Sequence, residues 1–177
     1  QVQAAFRRRR VIEHLQRLAP ACILEVGCGE RSLFLDYRGF ARMHVIEPGA
    51  RFLASARAAA AGRDDVAFHA GTLEKVAPQL QGLHFDCIVL SSVLHECPDP
   101  ESFLRAVFGL CGAGTAVHVY VPNAESLHRR LAVAMGLTGS LHELSGIQRQ
   151  MQQHVTYDAA SLTASLHSAG FVVRETG

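Results

Sequence analysis

The sequence predicts an α/β fold, a doubly wound, mostly parallel sheet with helices on both faces. Three observations predict it. Short apolar runs of strand length alternate with longer stretches of helical period along most of the chain. One of those runs, Ile23-Leu-Glu-Val-Gly-Cys-Gly29, enters a Gly-x-Gly turn. Another closes on an acid, Glu47, about 20 residues past that turn, where such sheets hold a ribose diol. Strands that alternate with helices need crossover connections, and crossovers make neighbouring strands parallel.

The elements follow in order. Residues 5–18 read as an amphipathic helix stopped by Pro20, and 22–26 as the first strand. The stretch 32–38 is a short helix at best, and 42–46 is the second strand. An alanine-rich helix covers 50–61, with Gly62 placed to cap its C-terminus. A third strand at 66–69 precedes a helix from about Leu73, and 85–90 is a buried fourth strand. Asp99-Pro100 sets an N-cap and a first-turn proline ahead of a helix running to Cys111. A fifth strand spans 115–121; Asp158 caps a last helix to Ala169, and Phe171 begins a sixth strand. Residues 122–157 break the alternation. A connection of roughly 35 residues is long enough to expect structure of its own. Leu127, Leu131 and Met135 fall at i, i+4 and i+8, predicting a short amphipathic helix in a lid over the substrate.

Composition narrows the function. At 177 residues, with 49% apolar and 19% charged residues, the chain is one folded domain, 1–177. Within it, 1–20 is an N-terminal helix, 21–121 a ligand-binding core, 122–157 the lid, and 158–177 the last helix and strand start. A net charge of +1 offers no pull on nucleic acid, and Arg7 to Arg10 read as the solvated start of the first helix. No apolar run spans a bilayer and no signal peptide opens the chain. The five cysteines lack a Cys-x-x-Cys pair and read as reduced thiols of a cytoplasmic protein. The first residue is Gln and the chain stops just after an apolar run, so a piece of a longer protein is expected. Ten scattered histidines without a His-x-x-x-His pair predict no metal site. Gly-x-Ser-x-Gly and Gly-Lys-Ser are also absent, which disfavours hydrolase and phosphate-binding readings.

The glycines alone do not choose the cofactor, because Gly27-x-Gly29-x-x-Ser32 nearly matches the dinucleotide fingerprint. Two acids do. A pyrophosphate would sit on the N–H groups just past the turn, where Glu30 places a like charge, and Glu25 adds a second. S-adenosylmethionine carries a ribose diol, a sulfonium and an ammonium group and no phosphate, so it suits both acids.

Ile23-Leu-Glu-Val-Gly-Cys-Gly, Val45-Ile-Glu-Pro and Phe85-Asp-Cys-Ile-Val-Leu-Ser-Ser-Val-Leu-His-Glu-Cys-Pro-Asp-Pro resemble the class I S-adenosylmethionine-dependent methyltransferases. Val121-Pro-Asn123, His154 and Ala169-Gly-Phe171 are similar to the small-molecule branch that includes the ubiquinone-biosynthesis O-methyltransferases. The resemblance covers roughly residues 10 to 175 and implies a Rossmann-like fold. It implies that Glu25, Gly27, Cys28 and Gly29 form the methionine-side loop and that Glu47 takes the ribose hydroxyls, with Pro48 beside the adenine. Thr72 and Leu73 would edge the adenine, and Ser91 and Ser92 would close the site. Three features depart from the family pattern. Arg31 stands where a third glycine is expected, Thr72 where an acid is common, and the seventh strand is absent.

Methyl transfer needs an acceptor held in line and little water, and a base only where the acceptor is a neutral hydroxyl. His95 with Glu96 is the first candidate, in reversed order relative to the family's acid–histidine pair, and His154 the second. His128 and His142 on the lid rank below these, and His118 lies within strand five. The expected function is methyl transfer from S-adenosylmethionine to a small-molecule acceptor, a hydroxyl oxygen first, by a monomer or homodimer. The alternatives are a nicotinamide-dependent oxidoreductase and a non-catalytic binding domain on the same fold. As a strand-tip acid, Glu47 is expected to matter little for folding.

Overall fold

The computed structural model describes residues 2–177, with side chains from Ala4 onward. The element order is α1 (Val2–Leu18), β1 (Cys22–Val26), a 3-10 turn (Leu33–Leu35), β2 (Arg42–Glu47), α2 (Ala50–Ala59), β3 (Val66–Ala70) and α3 (Leu73–Leu80). It continues with β4 (Cys87–Ser91), a second 3-10 turn (Leu94–Glu96), α4 (Pro100–Phe108), β5 (Ala116–Tyr120), α5 (Leu127–Ala134), α6 (Gly146–Gln150) and α7 (Ala159–Ser168). The chain forms two compact units. The first runs up to Ser91 and adds Gly109–Tyr120; the second joins Ser92–Phe108 to Val121–Gly177.

The first unit holds the sheet, in the order β3-β2-β1-β4-β5, with every pair parallel. The order reverses at β1 and β4, and a reversal of this kind leaves a crevice at the C-terminal strand ends. Ile23, Leu24, Val45, Ile46, Cys87 and Ile88 are fully buried, as the central strands of a parallel sheet must be. Asp86 ties the sheet's start together, accepting from the Ala21 N–H at 2.9 Å and the Cys22 N–H at 2.8 Å. The crossover from β1 to β2 contains no α-helix. Ser32, Asp36 and Gly39 favour caps and turns over helix interiors, so only the 3-10 turn forms. Val11 and Leu15 of α1 instead pack with Leu33, Phe34 and Tyr37 against Ile23, Met43 and Val45. Each such large side chain contributes roughly 1.5–3 kcal/mol by leaving water.

In the second unit, Asp99 caps α4 by accepting the Ser102 N–H at 3.0 Å, as its Asp-Pro start implies. The helix ends at Phe108 rather than Cys111, because Gly109 is a poor helix residue. Asp158 caps α7 in a reciprocal capping box with Ser161. The sequence reading did not anticipate α6, which opens on a second box, Ser145 with Gln148. The sixth strand is absent from the described residues. A strand exists through its ladder, and 171–173 pair with no strand among the described residues. The Phe171 ring instead meets Phe108 edge-on at 5.2 Å, and Val172 is exposed.

Candidate active site

Two loops at the C-terminal strand ends of the first unit meet through one side chain. Glu47 closes β2 and is buried. Its Oε2 accepts the Gly29 N–H at 3.1 Å and lies 3.5 Å from the Cys28 thiol, while its Oε1 accepts the Gly49 N–H at 2.8 Å. The Gly-x-Gly turn and the β2–α2 loop are therefore joined by a carboxylate. Glycine at 49 leaves room for this, since a Cβ there would lie 2.9 Å from Glu47 Oε1 and from the Phe52 ring, and one of them would have to shift. Gly29, at φ +54°, adopts a backbone that other residues reach only with strain, and a Cβ on it would meet nothing within 4 Å. The turn thus opens onto free space. The expectation that Glu47 is nearly irrelevant to folding is corrected by these contacts.

Glu25 lies one strand over and is also buried. It accepts the Ser32 hydroxyl in a short hydrogen bond and the Leu33 N–H at 3.0 Å. Burial, the largest influence, pushes its carboxyl up to about 7, against the pull of those two donors and of the Arg8 charge; Glu47 adds to the rise. Burial likewise pushes the Cys28 thiol up to about 12, with the two nearby acids adding to it, so Cys28 is no nucleophile. Pro48 is exposed beside this site, Thr72 is the exposed N-cap of α3, and the Leu73 side chain is committed to the core. Ser91 ends β4 half-buried.

The remaining predicted residues belong to the second unit. Ser92 holds a left-handed backbone, φ +63°, which costs a serine strain and turns the chain sharply off β4. His95 is buried, with Nε2 3.8 Å from Glu96 Oε1. Its carbonyl accepts the N–H groups of His154 at 2.9 Å and Val155 at 3.4 Å, so the structure brings His95 and His154 together through backbone. Beyond β5, Ala124 is buried, and its N–H donates to the Tyr157 carbonyl at 2.7 Å. Between these anchors, Arg129 gathers the segment, donating to Leu141 O at 2.8 Å, Gln148 Oε1 at 2.9 Å and Glu143 O at 2.6 Å. No residue of α5 or α6 is buried.

Sequence reasoning named the acids but missed their partners. Ser32 follows the glycine turn as a small hydroxyl and could have been paired with Glu25. The partnership of Gly49 with Glu47 leaves no signal beyond the Glu-Pro-Gly run.

The Glu25 environment makes stability depend on pH. Unfolded, Glu25 releases its proton near 4.5; folded, near 7. Between those values the native state carries the extra proton, so stability falls as pH rises, by about 3 kcal/mol in all. His44 and His69, bonded ring to ring at 3.0 Å, act oppositely. Burial lowers His44 to about 4 and His69 less far, so they remove stability as pH falls below 6.5. Glu25→Gln leaves the histidines in place and keeps an acceptor for Leu33. Its stability relative to wild type should therefore rise by about 3 kcal/mol between pH 4.5 and about pH 8. Urea unfolding at the two pH values checks this, and a constant difference would refute the buried-charge account.

A family model described as a methyltransferase domain matches residues 4–176. Among curated proteins there is no match. The fold is similar to the YcgJ protein of Bacillus subtilis, at 15% identity and TM-score 0.65 over 93% of this chain and 68% of that one. It is similar to the plantazolicin methyltransferase BamL, solved with a triazolic desmethyl analogue and SAH, at 13% identity and TM-score 0.68 over 95% and 63%. It is similar also to the [4+2]-cyclase SpnF, at 19% identity and TM-score 0.64 over 91% and 57%. At such identities these likenesses show the shared fold alone.

Proposed function

The chain belongs to the methyltransferase domain family, and on that premise we propose that it moves a methyl group from S-adenosylmethionine to the hydroxyl oxygen of a small-molecule acceptor. One observation carries the choice of cofactor. The N–H groups that a pyrophosphate would need past the glycine turn are engaged by carboxylates, Gly29 by Glu47 and Leu33 by Glu25. No α-helix starts there to supply others. A phosphate would meet two buried acids. An ammonium group and a diol meet acceptors instead.

The residues fit that ligand. A carboxylate has about four acceptor positions, and Glu47 uses two for N–H groups and turns a third to a weakly donating thiol. It retains capacity for ribose hydroxyls. Gly27 to Gly29, with Glu25 behind them, would hold the methionine end. Pro48, Thr72, the Leu73 backbone, Ser91 and Ser92 would border the rest. When bound, the sulfonium supplies an electrophilic methyl and leaves as a neutral thioether. What remains for the protein is to hold the acceptor in line, exclude water and, for a hydroxyl, receive its proton. We assign acceptor recognition to residues 122–157 and the proton to His95, oriented by Glu96, with His154 as the neighbouring polar group.

Calorimetric titration tests the cofactor assignment. SAH should bind with micromolar affinity, about 8 kcal/mol, and NAD far more weakly. The reverse order would refute the assignment. Radiolabel transfer from the methyl donor into a metabolite extract would then identify the acceptor.

A further inference from the structure

The arginine run at the start of α1 is not a uniform basic face. Successive helix residues point about 100° apart, so Arg7 to Arg10 do not all reach the same surroundings. The Arg7 guanidinium lies 5.9 Å from the centre of the Tyr120 ring, and Arg9 lies 5.5 Å from that of Phe6. Arg9 and Arg10 share Glu13, at 3.5 and 3.2 Å. Arg8 reaches the loop after β1. Its Nε donates to Asp36 Oδ2 at 2.6 Å, its Nη1 to the Arg31 carbonyl at 2.5 Å, and its Nη2 to the Ser32 carbonyl at 2.5 Å. Asp36 also takes Arg31, whose Nη2 donates to Oδ1 at 2.5 Å. These two arginines, Arg31 first, hold its carboxyl down at about 2.

This loop is the crossover that lacks an α-helix, so no helical ladder orders it. Two devices stand in for one. From inside, Glu25 accepts the Ser32 hydroxyl and the Leu33 N–H. From outside, Arg8 holds the carbonyls of Arg31 and Ser32. Ser32 is gripped from both sides. The planar guanidinium fork, with three aligned donors, suits this and an ammonium does not.

We propose that Arg8 is a positioning residue for the cofactor: by fastening residues 31–36 to α1, it holds Ser32 and Leu33 on Glu25 and keeps the Gly27–Gly29 turn shaped for its ligand. Arg31, in place of the family's third glycine, belongs to the same device, since its side chain braces the Asp36 that Arg8 also holds. The inference rests on the reading of that turn as the seat of S-adenosylmethionine.

The test is titration of the full chain with SAH between about pH 5.5 and 8.5. The groups facing Glu25 are Arg8 from α1, Glu47 from the end of β2 and Cys28 on the turn, and only Arg8 is changed. Arg8→Ala should weaken binding roughly tenfold, as coupling through an ordered loop does. It should also move the pH midpoint of binding upward, because the lost cation favoured the Glu25 carboxylate. Arg8→Lys keeps the charge and loses the fork, so the midpoint should stay near wild type while affinity still falls. Wild-type affinity and midpoint in Arg8→Ala would overturn the proposal, as would a lowered Tm with both unchanged. If Arg8→Ala does not fold, Arg8→Lys decides, and wild-type affinity there overturns the proposal. A wild-type chain that fails to bind SAH overturns the cofactor reading, and the proposal falls with it.

Discussion

Replacing residues 127–150 with a short Gly-Ser bridge should abolish methyl transfer, by at least roughly 10³-fold, while SAH affinity stays near that of the intact chain. The magnitude is that of lost acceptor positioning, for which effective molarities supply several kcal/mol. The segment can be removed without unfolding the rest, because neither α5 nor α6 buries a residue. Its large apolar side chains face outward, with Leu127 83% and Met135 62% exposed. The deletion starts after Ala124, whose buried position and bond to Tyr157 anchor the segment's start. His95→Ala is the companion variant. It should lower kcat by roughly 10²–10⁴-fold if His95 accepts the hydroxyl proton, and far less if the acceptor ionises unaided. Single-turnover radiolabel transfer measures both variants. A deleted protein that methylates at a near-normal rate would end the assignment of acceptor recognition to this segment.

Glu47→Ala should have two effects. SAH affinity should drop by roughly 1.5–3 kcal/mol, the cost of losing hydrogen bonds to a charged group. The fold should also lose about 1–3 kcal/mol, because the N–H groups of Gly29 and Gly49 lose their acceptor. Glu47→Gln separates the two. It retains one acceptor oxygen in the same shape and should recover part of the stability while remaining a poor diol partner. Calorimetry gives the affinity and urea unfolding the stability, each on folded protein. Unchanged SAH affinity in Glu47→Ala would remove Glu47 from the cofactor site.

The candidate site was legible in the sequence to the extent that its residues are marked locally. Glu47 ends an apolar run and Glu25 lies one residue before the end of another, and a strand end in a parallel sheet faces the ligand edge wherever the sheet sits. Gly29 was legible for a similar reason, since the turn it makes is a property of its own backbone. The direction of the Glu25 carboxylate was not legible. In isolation it reads as a ligand contact; in the fold it is bonded by Ser32 and Leu33 and buried. That outcome depends on where a loop without a helix comes to rest.

The alternation of strand and helix periods determined by itself that the chain makes a parallel sheet, and it placed all five strands within two residues of where they lie. Side-chain period and turn chemistry act over a few residues, so they survive reading without coordinates. Tertiary structure alone decided which polar groups distant in sequence meet. Arg8 and Asp36 lie 28 positions apart and Glu47 and Gly29 18 apart, and nothing in their local sequence marks them as partners. It decided also that 171–173 form no strand, because a strand requires a neighbour as well as a propensity. Periodicity is a property of a segment. Hydrogen-bond partners and burial belong to pairs of segments, and only folding brings those pairs together.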